Sequence, residues 1–282
     1  MSYAAPVSIT AATSDAARQA RVARRLSPSP FLAEPLRALG YDSRELWAWD
    51  TYEQAVLAFV GHCRDAGRHN GGGLVRLLEI GGGRRPLLTP DQAQAAGITY
   101  TVNDISAREL ELGPQEFGRA LFDVAGGVDP KEHGRHDLII SRMVMEHVRD
   151  AARAWTNMAN LLAPGGVALA FHPALYAPPF VINWLIPDRL TAPALRFFFS
   201  DRHDGEFPKF PARYDLCIAD PAVIEPALKQ AGFREAPSAS FWGDRYFRHF
   251  PGVRTANDSL SALAEARDWR RLASYAYTIG RK

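Results

Sequence analysis

A carboxylate among apolar residues, followed directly by glycines, is the first feature of this sequence that could do chemistry. Residues 77–83 read Leu-Leu-Glu-Ile-Gly-Gly-Gly. A short apolar run that ends in glycines predicts a buried strand meeting a tight turn, and Gly81 and Gly83 let the backbone lie close to a ligand. A dinucleotide-binding turn needs a third small residue, where this chain has Pro86. Glu79 instead suits a ligand that carries a cationic amino group.

A second carboxylate follows the next apolar run. Asp104 lies 21 residues after Gly83, where a carboxylate can accept hydrogen bonds from both ribose hydroxyls of an adenosine ligand. The alternative is that Asp104 caps the helix that follows it. With Glu79 and the glycines at the matching distance, the sequence favours the ribose interpretation.

Apolar runs alternate with helix-compatible segments through most of the chain. The predicted strands are Leu74–Ile80, Ile98–Asn103, Ala120–Val124, Asp137–Ser141, Val167–Phe171, Phe233–Trp242 and Ser274–Gly280. Helical spacing is present within 43–66, 151–162 and 260–272. This alternation predicts an α/β fold with a doubly wound, mostly parallel seven-stranded sheet and a closing antiparallel hairpin. Ligands of such sheets bind at the carboxyl ends of the strands.

Four sequence blocks carry a resemblance to a known family. The chain has Glu-Ile-Gly-Gly-Gly at 79–83, Asn-Asp-Ile-Ser at 103–106, Ser-Arg-Met-Val-Met-Glu-His-Val at 141–148 and Leu-Leu-Ala-Pro-Gly-Gly at 161–166. In this order and spacing they resemble class I S-adenosylmethionine-dependent methyltransferases, over roughly residues 45–172 and more weakly at the closing hairpin. The resemblance implies the Rossmann-like methyltransferase fold, S-adenosylmethionine as cofactor and methyl transfer as the reaction.

The first two blocks then acquire roles in holding the cofactor. The resemblance implies that Gly81 and Gly83 pass close to its methionine part and that Glu79 faces its amino group, directly or through water. It also implies that Asp104 holds the ribose and that Ile105 covers one face of the adenine.

The resemblance assigns three more residues to the cofactor. Asp123, which ends the third predicted strand, would lie near the adenine amino group; the alternative is a surface turn residue. Ser141 and Arg142, which end the fourth strand, would flank the reactive sulfonium. The chain departs from the family at residues 84–86, Arg-Arg-Pro, where Arg85 either clashes with the cofactor or reaches its carboxylate.

Two histidines are candidate catalytic bases. His172 ends the fifth predicted strand, where acceptors approach in this family, and it is the preferred candidate. His147 follows Glu146, and it either acts beside the acceptor or packs the loop after strand four. The Asp/Asn-Pro-Pro-Tyr signature of amine methylation is absent at the end of strand four, so a hydroxyl acceptor is expected, with carbon acceptors left open.

An insertion after strand five, residues 174–214, is the expected acceptor side. It holds nine of the 30 aromatic residues of the chain and is rich in proline. An aromatic wall suits a small apolar acceptor, or one linked to a lipid or glycan. A satellite core, a homodimer interface and a peripheral membrane contact are the alternatives that this composition leaves open.

Bulk composition limits the class of protein. The chain has 282 residues, 47% of them hydrophobic, with a net charge of +2 from mixed charges, which does not favour nucleic acid as a partner. Two distant cysteines indicate no disulfide framework and favour the cytoplasm. No apolar run is long enough to predict a membrane span, and no metal-binding spacing is present.

The predicted organisation has two parts. Residues 1–40 form an N-terminal extension, which reads as a basic helix or a transit peptide, and residues 41–282 form the methyltransferase domain. Two rival functions stay open: a non-methylating member of the same fold, acting as a cyclase or ligand sensor, and a nucleic-acid methyltransferase.

Overall fold

The structure is a computed structural model that describes residues 47–50, 52–67, 73–185, 211–244, 246–247 and 250–282. The predicted N-terminal extension and the middle of the predicted insertion, residues 186–210, lie outside the described residues. In the described part of the chain, no helix combines the length and apolar character that crossing a membrane requires.

The core of the molecule is one mixed sheet of seven strands. The strands are β1 (Val75–Ile80), β2 (Ile98–Asp104), β3 (Gly118–Leu121), β4 (His136–Arg142), β5 (Leu162–Pro173), β6 (Ser238–Phe241) and β7 (Tyr275–Arg281). Their order is β3-β2-β1-β4-β5-β7-β6. The first five strands pair in parallel, and β7 runs antiparallel to both β5 and β6. The predicted fold class is therefore confirmed.

Helices cover the sheet and connect its strands. The described α-helices are α1 (Trp47–Asp50), α2 (Tyr52–Asp65), α3 (Pro90–Ala95), α4 (Ala107–Glu111), α5 (Ala151–Leu161), α6 (Pro178–Leu185), α7 (Pro221–Gln230) and α8 (Pro251–Ala266). Helix α5 agrees with the prediction, and Asp150 caps it by accepting a hydrogen bond from Arg153 N. Helix α8 begins at Pro251 rather than at Leu260, because proline is preorganised for the first helical position.

Three predicted strands differ from the structure by three or more residues at one end. Strand β5 begins at Leu162 rather than at Val167. Strand β3 ends at Leu121, so the predicted continuation to Val124 is wrong: Asp123 folds the chain into a turn by accepting a hydrogen bond from Ala125 N. Strand β6 begins at Ser238 rather than at Phe233, because Pro237 has no N–H to give to the ladder.

The amphipathic helix α2 fastens the amino-terminal end of the described chain to the sheet. Its buried residues recur at helical spacing, and it packs on β4, β1 and β5. The Tyr52 hydroxyl lies within hydrogen-bond distance of two strand carbonyls, Ser141 O at 2.9 Å and Leu169 O at 2.8 Å. The Tyr277 hydroxyl donates to Ala48 O at 2.7 Å. These bonds connect the first helices to the middle and the last strand of the sheet.

An aromatic cluster lies at the carboxyl end of β5. Its members are Trp49, Phe171, Phe180, Tyr214, Tyr246 and Tyr275. The Phe180 ring centroid lies 5.1 Å from that of Tyr246 and 5.5 Å from that of Tyr275, in edge-to-face contacts. Tyr275 pairs with Pro173 at the end of β5. Helix α6 is therefore packed onto the edge of the sheet where parallel strands bind ligands.

Candidate functional site

The glycine loop, residues 81–83, has no room for side chains. Gly81 has φ +70°, and a Cβ there would come within 2.5 Å of Val144 Cγ2. Gly83 has φ +47°, and its Cβ would meet Asp104 Oδ2 at 2.8 Å. Gly82 is equally restricted, because its Cβ would lie 2.7 Å from Glu79 Oε2. The loop thus exposes backbone between two carboxylates, as a closely approaching ligand requires.

Glu79 is buried beneath this loop, with 2% of its surface exposed. Its Oε2 accepts hydrogen bonds from the Tyr100 hydroxyl at 2.6 Å and from Leu87 N at 2.9 Å. Burial raises the pKa of Glu79, and these two hydrogen bonds and the nearby charge of Arg142 act against that rise. Glu79 therefore also fixes the chain after the glycine loop, a role that the sequence did not reveal. Its contact with a cofactor amino group stays a prediction.

Asp104 ends β2 beside the glycine loop. The parallel register of β1 and β2 brings Asp104 and the loop together. It is half-buried, and Oδ1 accepts a hydrogen bond from Ser106 N at 2.9 Å. Ser106, not Asp104, caps helix α4, so the capping alternative is wrong. Partial burial raises the pKa of the Asp104 carboxyl, and the charge of Glu109 adds to that rise. Ile105 next to it is 58% exposed, as a residue that covers a ring would be.

An ion pair holds Arg84, one of the two arginines that follow the glycine loop. The Arg84 guanidinium donates two hydrogen bonds to the Glu109 carboxylate, at 2.6 and 2.7 Å. This bidentate pair lowers the pKa of Glu109 and engages Arg84 with helix α4. A carboxylate on helix α4 thus engages Arg84, and the two alternatives for Arg85 stay predictions.

The end of β4 carries polar groups that face the same edge. Ser141 is 1% exposed, and its Oγ has no hydrogen-bond partner among the described residues. Arg142 is half-buried and donates to Arg85 O at 3.4 Å. Met143 follows with φ +56°, which costs about 1–3 kcal/mol in a residue with a Cβ and is retained where the surroundings enforce it. A buried hydroxyl without a partner needs a donor or acceptor from elsewhere, and a ligand can supply it.

Asp123 lies apart from these groups. It is exposed in the turn after β3, where its carboxylate accepts a hydrogen bond from Ala125 N. The turn-forming alternative therefore describes its contacts, and a contact with adenine stays a prediction.

His172 is buried near the carboxyl end of β5. It is 1% exposed, with Nδ1 3.0 Å from Pro173 O and Nε2 2.8 Å from Thr278 Oγ1. A carbonyl oxygen only accepts, so Nδ1 carries the proton and the Thr278 hydroxyl donates to Nε2. Burial lowers the pKa of His172 to about 4. Both ring nitrogens are thus used within the fold, a geometry that argues against a role as base.

His147 lies at the surface of the turn after β4. About one third of its side chain is exposed, its Nδ1 is 3.3 Å from Pro211 O, and its Nε2 is 3.9 Å from Glu146 Oε1. Glu146 itself is buried. Histidine, buried carboxylate and the described end of the insertion therefore meet at this turn.

In the described part of the chain, no three His, Cys, Asp or Glu residues form a group that could hold a metal ion.

The sheet order and the ligand edge define a Rossmann-like methyltransferase domain. A family model described as "Methyltransferase domain" matches residues 22–195 of the sequence. The chain belongs to this family, the class I S-adenosylmethionine-dependent methyltransferases.

The curated relatives include two O-methyltransferases. The ubiquinone biosynthesis O-methyltransferase of Bradyrhizobium sp. (strain ORS 278) is 26% identical over 171 residues, which are 50% of this chain and 66% of that protein. The chloroplastic tocopherol O-methyltransferase of Arabidopsis thaliana is 35% identical over 89 residues, 31% of this chain and 26% of that protein. The chain thus spans no more than about two thirds of either relative.

Solved methyltransferase structures match this chain at low identity. The DszA carbon methyltransferase matches with a TM-score of 0.51 and 14% identity, over 83% of this chain and 54% of that one. A methyltransferase from Archaeoglobus fulgidus matches with a TM-score of 0.45 and 17% identity, over 82% of this chain and 94% of that one.

The described residues fit S-adenosylmethionine, the cofactor of this family. The glycine loop is a cradle that any Cβ would fill. Asp104 Oδ2 lies over Gly83, where it suits a ribose, and the buried Ser141 hydroxyl lacks a partner among the described residues. A ligand with a cationic group and hydroxyls therefore complements the carboxylates of Glu79 and Asp104 and the hydroxyl of Ser141.

Proposed function

We propose that this chain transfers a methyl group from S-adenosylmethionine to a hydroxyl of a small apolar acceptor, free or linked to a lipid or glycan. The observation that carries the proposal is the meeting of the glycine loop, Asp104 and the end of β4 at one sheet edge. When bound, S-adenosylmethionine supplies an electrophilic methyl group on its sulfonium. The protein binds and orients the reactants and excludes water from them.

We assign the cofactor to the loops after β1, β2 and β4. Gly81 and Gly83 would border its methionine part, with Glu79 toward the amino group and Asp104 toward the ribose hydroxyls. Ile105 would cover one face of the adenine. Ser141 and Arg142 would flank the sulfonium, and Asp123 would border the adenine from the turn after β3.

The relatives support the acceptor class. Tyr275 and Phe180 at the carboxyl end of β5 are each 3% exposed and belong to the hydrophobic core, so the support for the acceptor comes from the relatives and not from these two rings. Both relatives described above are named O-methyltransferases, one for ubiquinone biosynthesis and one for tocopherol. A hydroxyl acceptor agrees with those names and with the missing amine signature.

Of the two histidines, we propose His147 as the base. A hydroxyl must lose its proton as its oxygen gains the methyl group, and a positioned histidine accelerates this transfer by about 10²–10⁴-fold. The proton goes to Nε2 of His147, and the Glu146 carboxylate, 3.9 Å away, stabilises the imidazolium that results. His172 has both nitrogens engaged in the sheet and serves the fold.

We propose the cytoplasm as the site of action. Cys63 and Cys217 are buried and form no disulfide, which is the usual state in a reducing compartment.

Incubation with methyl-labelled S-adenosylmethionine and a cell extract tests the proposal. We expect label in small organic-soluble molecules, with a mass gain of one methyl group on oxygen. The matched control is Gly81→Val, which fills the cradle and should remove the label. Binding of the cofactor without any methylated product would favour the cyclase or sensor alternative. Label in nucleic acid would show that the acceptor is a nucleic acid and not a small apolar molecule.

A further inference from the structure

A short segment beyond the described gap returns to the turn after β4. We call residues 211–217 the return segment. It touches this turn at His147, whose Nδ1 lies 3.3 Å from Pro211 O. The proposed base is therefore in contact with a part of the chain that lies 64 residues later in the sequence.

Backbone and side-chain hydrogen bonds fasten the return segment to three elements. Glu146 O accepts from Arg213 N at 2.6 Å and from Tyr214 N at 3.1 Å. The Asp215 carboxylate accepts from Ala151 N, at the first turn of helix α5, at 3.0 Å. Cys217 O accepts from Leu175 N, just beyond β5, at 2.9 Å.

Backbone strain is concentrated where these segments meet. Four non-glycine residues in the described part of the chain have a positive φ, and three belong to this junction: Met143 at +56°, Tyr214 at +56° and Leu216 at +54°. Such conformations persist only where the surroundings enforce them, and they cluster at functional sites. The return segment therefore keeps one defined backbone conformation, although its residues with positive φ raise its conformational free energy.

The contact between Pro211 and His147 selects one tautomer of the ring. A carbonyl oxygen has no proton to give, so the hydrogen bond requires the proton on Nδ1. In the neutral ring the other nitrogen, Nε2, is then the one that accepts a proton. The other neutral tautomer carries the proton on Nε2, so it can neither donate to Pro211 O nor accept a proton at Nε2.

We propose that the return segment is a positioning element that sets His147 in its Nδ1–H tautomer and so prepares it to act as base. Asp215 is the positioning residue, because its hydrogen bond to helix α5 seats the segment. This inference rests on the proposed role of His147. It adds that the base depends on a segment remote in sequence, which begins within the last residues of the predicted insertion.

Removal of the Asp215 hydrogen bond tests the proposal. In Asp215→Ala, ¹⁵N spectra of labelled histidine should show His147 losing its Nδ1–H tautomer. The turnover number should fall about tenfold, a part of what a general base contributes, while the KM for the cofactor stays within about twofold. Asp215→Asn keeps an acceptor oxygen and should restore most of the tautomer and of the turnover.

Two further variants separate positioning from stability. Asp150→Ala removes a hydrogen bond to the same helix end, from Arg153 N, without touching the return segment. It should lower the melting temperature similarly but leave the tautomer and turnover unchanged. Ala151→Pro removes the N–H that Asp215 accepts at a position where proline suits a helix, and it should reproduce Asp215→Ala.

An unchanged His147 tautomer in Asp215→Ala and Ala151→Pro would overturn the proposal, and so would an equal loss of turnover in Asp150→Ala. The spectra need no acceptor, so they decide this inference separately from the proposed function. Unaltered turnover in His147→Asn would instead remove His147 as the base.

Discussion

The glycine loop after β1 and the turn after β4 lie at the same edge of the sheet, but they are held by different means. Glu79, Tyr100 and Asp104, which surround the glycine loop, come from two neighbouring strands. The turn that carries His147 is held by Pro211 and Arg213, far along the chain. The glycine loop and Asp104 of the proposed cofactor site thus come from neighbouring stretches of sequence, whereas the turn that carries the proposed base is held by long-range contacts.

The largest expected effect is in the glycine loop. Gly81→Val places a β-branched residue at φ +70° and within 2.5 Å of Val144, so the loop must move and cofactor binding should fall below detection in titration calorimetry. The control is Gly127→Val, because nothing lies within 4 Å of a Cβ at Gly127. Wild-type affinity in Gly81→Val would show that the loop does not border the cofactor.

The next effect separates the two histidines. His147→Asn should lower the turnover number by about 10²–10⁴-fold, with the cofactor dissociation constant nearly unchanged. His172→Asn should change turnover by less than tenfold and act mainly on stability, because His172 is bonded within the sheet. Steady-state kinetics with calorimetry on both variants checks this, and the reverse ranking would return the role of base to His172.

Acid should unfold the protein partly through His172. Its pKa is about 4 in the fold against about 6.5 unfolded, so the unfolded chain binds the extra proton. The contribution of His172 to the free energy of unfolding is fully present above pH 6.5. It falls by about 3 kcal/mol as the pH falls towards 4. Burial lowers the pKa of His136 to about 4 as well.

Denaturant unfolding of wild type and His172→Gln between pH 7 and 4 measures this loss. The variant should lose less stability over that range, with the contribution of His136 retained. Equal losses in the two proteins would contradict the buried neutral state of His172.

The smallest effect compares two carboxylates of the cofactor side. Asp104→Ala should weaken cofactor binding by about 1–3 kcal/mol, because ribose hydroxyls lose a charged acceptor. Asp123→Ala should weaken it less, since Asp123 is exposed in a turn. Calorimetric affinities that are unchanged in Asp104→Ala would remove Asp104 from the site.

The sequence predicts the cofactor side because its signals are local. Glycines after an apolar run, and Asp104 at the end of the next strand, follow from strand periodicity and turn chemistry. The sequence does not reveal that Glu79 also binds Tyr100 and Leu87, because burial of a carboxylate depends on what packs over it. The sequence also ranks His172 above His147 as a base, and the contacts of the two histidines favour the opposite order. The Thr278 hydroxyl that engages His172 lies 106 residues later, and pairings of that range are decided by the assembled sheet.

The bond from Tyr277 to the carbonyl of Ala48 has a consequence for how the molecule is made. It joins residues 229 positions apart, so α1 cannot make this contact until β7 has left the ribosome. Contacts of such separation are slow to form, since the loop between them must close first. Until β7 enters the sheet, α1 lacks its partner strand and the side of β5 that pairs with β7 stays exposed. Chaperones can bind the nascent chain in that interval.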